Sequence, residues 1–167
     1  MAPRFPSIGL AAVVYVVVSL GLGYLLAVNP GAQMWAGGLS CVAALLVPAL
    51  AVWHYVNTHG VSLRPGAGAG MGAAAIALGG LLAYGAQVAL QAAGVYPSND
   101  QMLEAARQQL LEQGIPSEQI EGALDMAMAM QGPVGMIVSV AIAAVVGAVA
   151  GAVAAAILKR GPRAEEA

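Results

Sequence analysis

Long uncharged stretches separated by short polar ones set the pattern of this chain. Apolar positions run almost unbroken over about residues 8–28, 34–56, 67–95 and 133–158, and none of the four stretches contains Asp, Glu, Lys or Arg. A helix rises 1.5 Å per residue, so about 25 residues reach roughly 37 Å, enough to cross a hydrocarbon core of about 30 Å with some tilt. Each stretch therefore predicts a membrane-crossing helix. The first follows Arg4 and is longer than the 7–15 apolar residues typical of a signal-peptide core, and Ala27-Val28-Asn29 is a poor cleavage site, so it reads as a retained span. Asn29-Pro30-Gly31 is a helix-stopping turn, which makes the first two spans an antiparallel pair. Trp35 at one end of the second span and Trp53, His54 and Tyr55 at the other match an interfacial aromatic belt.

Between the third and fourth spans the pattern changes. Ser98-Asn99-Asp100-Gln101 has the form of a capping box, and Leu103, Ala106 and Leu110 then recur at helical spacing opposite Glu104, Arg107, Gln108 and Glu112. Gly114-Ile115-Pro116 ends that helix. Ser117 is placed to cap a second one, with Glu118 in its first turn and Ile120, Leu124 and Met128 along one face. Gly132-Pro133 stops or kinks it at the membrane. The expected fold is an all-α membrane protein: one four-span transmembrane domain over 1–167, with an amphipathic helical hairpin inserted at 97–132.

Composition sharpens the class. The 167 residues are 60% hydrophobic and 8% charged, whereas about a quarter of a soluble domain is charged. The partner this implies is the lipid bilayer, not nucleic acid. The lone Cys41 excludes an intrachain disulfide and a cysteine metal cluster. Arg4, Arg64 and the group Lys159, Arg160 and Arg163 fall on one side if four spans alternate, and basic residues in short loops stay cytoplasmic. Both termini are thus expected in the cytoplasm, with the hairpin outside. The hairpin carries Asp100, Glu104, Glu112, Glu118, Glu121 and Asp125 against Arg107. Such acidity is a solvated face, a cation-attracting mouth or a docking surface for a basic partner.

Inside the fourth span Gly147 and Gly151 form GxxxG, with Ala144 and Ala148 extending the small surface. Small residues let a second backbone approach, so this helix is built to touch another. The Gly-rich entry to the third span, Pro65 to Gly70, lacks the Lys-Ser/Thr ending and the preceding strand of a phosphate loop. It reads as close helix packing or a frayed helix start. Tyr84, Gln87 and Gln91 share one helical stripe, either bonded to a neighbouring helix or forming a polar intramembrane site for a headgroup or quinone. Asp125, the acid nearest the membrane, is a solvated residue or an outer-mouth group on a proton or cation path. His54 and His59 are five apart, a poor spacing for one metal-binding face. Met126, Met128 and Met130 alternate and suit adaptable apolar packing.

The run Leu110 to Glu121, LLEQGIPSEQIE, followed by a Met-rich stretch, Gly132-Pro133, a Gly/Ala-rich span and a terminal Lys-Arg pair, resembles the bacterial membrane-protein family catalogued as domain of unknown function 4199 (DUF4199). The likeness is clearest over about 100–163; over the first 95 residues only span number and spacing agree. It implies a four-span inner-membrane protein with a helical insert before the last span, and it carries no activity, cofactor or catalytic residue. The chain is poorer in Phe and Ile and richer in Ala and Gly than that pattern.

The spans offer no nucleophile with a base, carboxylate pair or metal cluster, so no catalytic, cofactor-binding or metal residue is expected and the chain is not expected to be an enzyme. No ionisable group lies at a span's centre, as a coupled transporter generally requires. What remains is a structural or accessory subunit of the bacterial inner membrane, packing through small-residue helix faces as a homo-oligomer or with a larger membrane partner. The alternative is a homo-oligomeric channel or small-molecule transporter with an acidic outer mouth.

Overall fold

The computed structural model describes residues 3–29, 33–131 and 133–159. Their regular elements are helices: α1 Phe5–Val28, α2 Gln33–His59, α3 Pro65–Ala92, α4 Asn99–Glu112, α5 Ser117–Gln131 and α6 Pro133–Ile157. Four of them, α1, α2, α3 and α6, are long and apolar enough to cross a membrane. This is a helical, multi-pass membrane protein. The Pro30-Gly31 turn, Gly132, Arg160 and Arg163 lie outside the described residues.

Helix ends follow local chemistry. Proline fits the first turn of α1, where an amide would have no helical partner. The ends of α3 and α4 are alike: Gly94 and Gly114 take φ of 70° and 75°, and the next amides, Val95 and Ile115, donate back to the carbonyls of Leu90 and Leu110. Such a reversal needs a left-handed residue, which glycine supplies without a Cβ clash. The Ser98 capping box is formed, with the Gln101 amide on Ser98 Oγ at 3.3 Å and the Ser98 amide on Gln101 Oε1 at 3.0 Å. The start of α5 differs from the sequence expectation. The Ile120 amide donates to the Pro116 carbonyl at 3.1 Å, so Ser117 is already helical and is not the cap.

By contacts the chain divides into two compact units, one comprising 1–85 with 140–167 and the other 86–139. In the first, α1 packs on α2, and two buried clusters join the four spans. One unites Val52, Tyr55 and Val56 of α2 with Leu63, Met71 of α3 and Ala154 and Ala155 of α6, with Ile8 and Leu158 against it. The other joins Ala11 of α1, Val47 and Ala51 of α2 and Ala75 and Ile76 of α3, flanked by Tyr15 and Ala143. The start of α1, the end of α2, the start of α3 and the end of α6 therefore meet at one end of the bundle. Arg4, Arg64 and Lys159 directly adjoin those helix ends. In the second unit α4 and α5 pack on each other. Ile120 and Tyr96 are buried there, and α4 buries none of its residues.

Candidate functional site

Among the described glycines, the closest helix approach is in the seam between α3 and α6. A Cβ placed on Gly72 would collide with the carbonyl oxygen of Gly147, and one on Gly68 with that of Gly151 and the Cβ of Ala155. The relation is reciprocal: a Cβ on Gly151 would meet the Gly68 carbonyl, and one on Gly147 would come 2.7 Å from Ile76 Cγ1 and 2.8 Å from the Gly72 carbonyl. On α6 the row is Gly147, Gly151 and Ala155, and Ala143, one turn earlier, packs on the second buried cluster. Residues four apart share a helix face, so the seam is one continuous row.

The partner of the GxxxG pair is thus a second glycine pair of the same chain, and these two residues are taken within the protein. Ala144 and Ala148 are half-buried beside the row. The Gly-rich start of α3 is ordered helix in close packing, which decides between the two readings of that stretch. Gly68-x-x-x-Gly72 repeats the spacing of Gly147-x-x-x-Gly151 and was the signal from which this pairing was readable.

A polar clasp ties α1 to α2. Ser7, only 1% exposed, places Oγ 2.9 Å from His54 Nδ1, one hydrogen bond whichever partner donates. His59 is engaged separately: its Nδ1–H donates to the Tyr55 carbonyl at 3.0 Å, and the two rings lie 4.6 Å apart. The histidines therefore serve different helix contacts. Among the described residues no three His, Cys, Asp or Glu side chains are grouped to hold a metal ion.

The residues of the Tyr84, Gln87 and Gln91 stripe differ in exposure and bonding. Tyr84 is exposed and Gln87 half-buried. The Gln91 amide donates to the Pro97 carbonyl at 3.1 Å and to Asn99 Oδ1 at 3.0 Å, tying the end of α3 to the start of α4. Such a bridge was not legible in the stripe, because it depends on the chain reversing at Gly94. Asp125 is exposed on α5. In the same unit, burial pushes the Tyr96 hydroxyl above its ordinary pKa of 10.0.

Large apolar side chains line a groove between α1 and α2. Val14, Val18 and Leu22, four residues apart, form one wall, and α2 from Leu39 to Trp53 forms the other. Leu158 closes one end, and the volume is about 580 Å³. Pro48 sits within α2 behind this wall and is buried. It removes the amide that would bond the Ala44 carbonyl.

Comparison with protein-family models, curated proteins and solved structures finds no match to this chain.

Proposed function

We propose that the protein is a structural or accessory subunit of the bacterial inner membrane, without catalytic activity, whose α4–α5 hairpin docks a partner outside the cytoplasm while both termini stay inside. The supporting observation is the apolar surface that α4 and α5 leave open. They lie outside the four apolar spans, and Ile120 is their one fully buried side chain among the described residues. Leu111 and Met128 are exposed, and Met126 is 73% exposed. Met126 and Met128 lie within one turn of α5, and methionine suits a contact that adapts to its partner. The exposed carboxylates around it favour a basic partner surface. Membership of the DUF4199 family is part of this reading and rests on the residues quoted for it.

The GxxxG pair is occupied within the chain, so the contact to test lies on α5. A photo-crosslinking residue at position 126, in the native host, is expected to capture one stoichiometric membrane partner or a second copy, with capture lost when Met128→Glu is added beside it. Selective cation or solute flux in liposomes that falls with Asp125→Asn, together with no crosslink, overturns this reading and installs the homo-oligomeric channel.

A further inference from the structure

The groove between α1 and α2 is apolar along its length, and Lys159 follows Leu158 at one end of it. We infer that it seats one acyl chain of an anionic phospholipid, whose headgroup lies against Lys159. From Leu39 to Trp53 it follows α2 for about 21 Å at 1.5 Å per residue, with a volume of about 580 Å³. A single file of methylenes fits. The lining is almost wholly apolar, as a chain of methylenes requires, and the volume lies in the range of about 300–1,000 Å³ usual for ligand pockets.

One end fixes the direction. Leu158 lines the groove there and Lys159, exposed, is the next residue. Trp53, 46% exposed, borders the same end, where an indole suits headgroup level. An ammonium at that depth attracts an anionic headgroup by about 1 kcal/mol, a factor of about five in affinity. The groove is longer than one leaflet of about 15 Å, so a chain entering beside Lys159 has room along its whole length. Val14, Val18 and Leu22 on α1 stand across the groove from Ala43 and Ala49 of α2, whose small side chains leave the space between the helices open.

The test uses the full chain in detergent with Trp35→Phe, leaving Trp53 as its only tryptophan. Phosphatidylglycerol and phosphatidylcholine with identical brominated chains are titrated in trace amounts, and Trp53 quenching is followed. Saturable quenching at one lipid per protein is expected, about fivefold tighter for phosphatidylglycerol. Lys159→Gln should bring that lipid to the level of the other without weakening the zwitterionic one. Ala43→Phe, which fills the groove, should abolish saturable quenching; Val18→Phe is the second filling variant, and helicity and melting of each confirm folding. Equal affinity for the two lipids, saturable binding retained in both folded filling variants, or a brominated fatty acid binding as tightly as phosphatidylglycerol overturns the assignment.

Discussion

Two helix seams in the same bundle solve the same problem in opposite ways. Between α3 and α6, glycine faces glycine and the two backbones come within reach of each other's carbonyls. Between α1 and α2, packing is close around Ala11 and Ala51, but Val14, Val18 and Leu22 face Leu39, Leu46 and Leu50 across an open groove. In lipid the hydrophobic effect does not press helices together, because tails are as apolar as leucine. Association then depends on how near the backbones can come and on the polar bonds between them. The glycine row allows the approach that branched side chains prevent. The α1–α2 seam has a hydrogen bond in its place, between Ser7 and His54, at the end where the helices meet.

The largest expected effect breaks the tight seam. Gly72→Ala or Gly151→Ala puts a methyl group into a backbone carbonyl that cannot turn aside, and should cost about 1–3 kcal/mol or more, as overpacking does. Gly70→Ala has open space around the new methyl and should change stability by less than about 0.5 kcal/mol. Thermal unfolding of the three variants in one detergent measures this, and equal loss in all three removes the seam from the explanation.

A smaller effect is expected at the clasp. Ser7→Ala leaves the His54 imidazole without its partner and should cost about 0.5–1.5 kcal/mol, the range of polar bonds between membrane helices. Combined with Gly72→Ala it should be nearly additive, since the two act on different seams. A strongly non-additive double variant would show that the seams are one structure.

The smallest effect lies outside both. The Tyr96 hydroxyl is held neutral by burial, so the folded state keeps its proton above pH 10 where the unfolded chain has lost it. Stability is then unaffected below about pH 10 and falls as pH rises beyond it. Tyr96→Phe should flatten that fall. Thermal unfolding of the wild type and Tyr96→Phe, compared from about pH 8 to about pH 11, reads it.

Much of this molecule was legible in the chain. Absence of charge over more than twenty residues decides a span by itself, because an ionised group in hydrocarbon is so costly. The capping box at Ser98 and the glycine stop at 114 were equally local, each using residues within one turn. Ser117 failed as a cap for a reason just as local: the Pro116 carbonyl already receives the first helical amide.

The sequence by itself determined four spans, their alternation and the small-residue face of α6. Only the tertiary structure decided which helix meets that face. GxxxG states that a backbone can come close and carries no address, so Gly147 and Gly151 suit a neighbour in the same chain or another equally well. The choice fell to Gly68 and Gly72, about eighty residues away, because their spacing matches on a helix running the opposite way. The groove was hidden for the complementary reason. A cavity is what remains after two stripes of large side chains fail to interdigitate, and that depends on where α1 and α2 diverge in space, which no single stretch of either helix records.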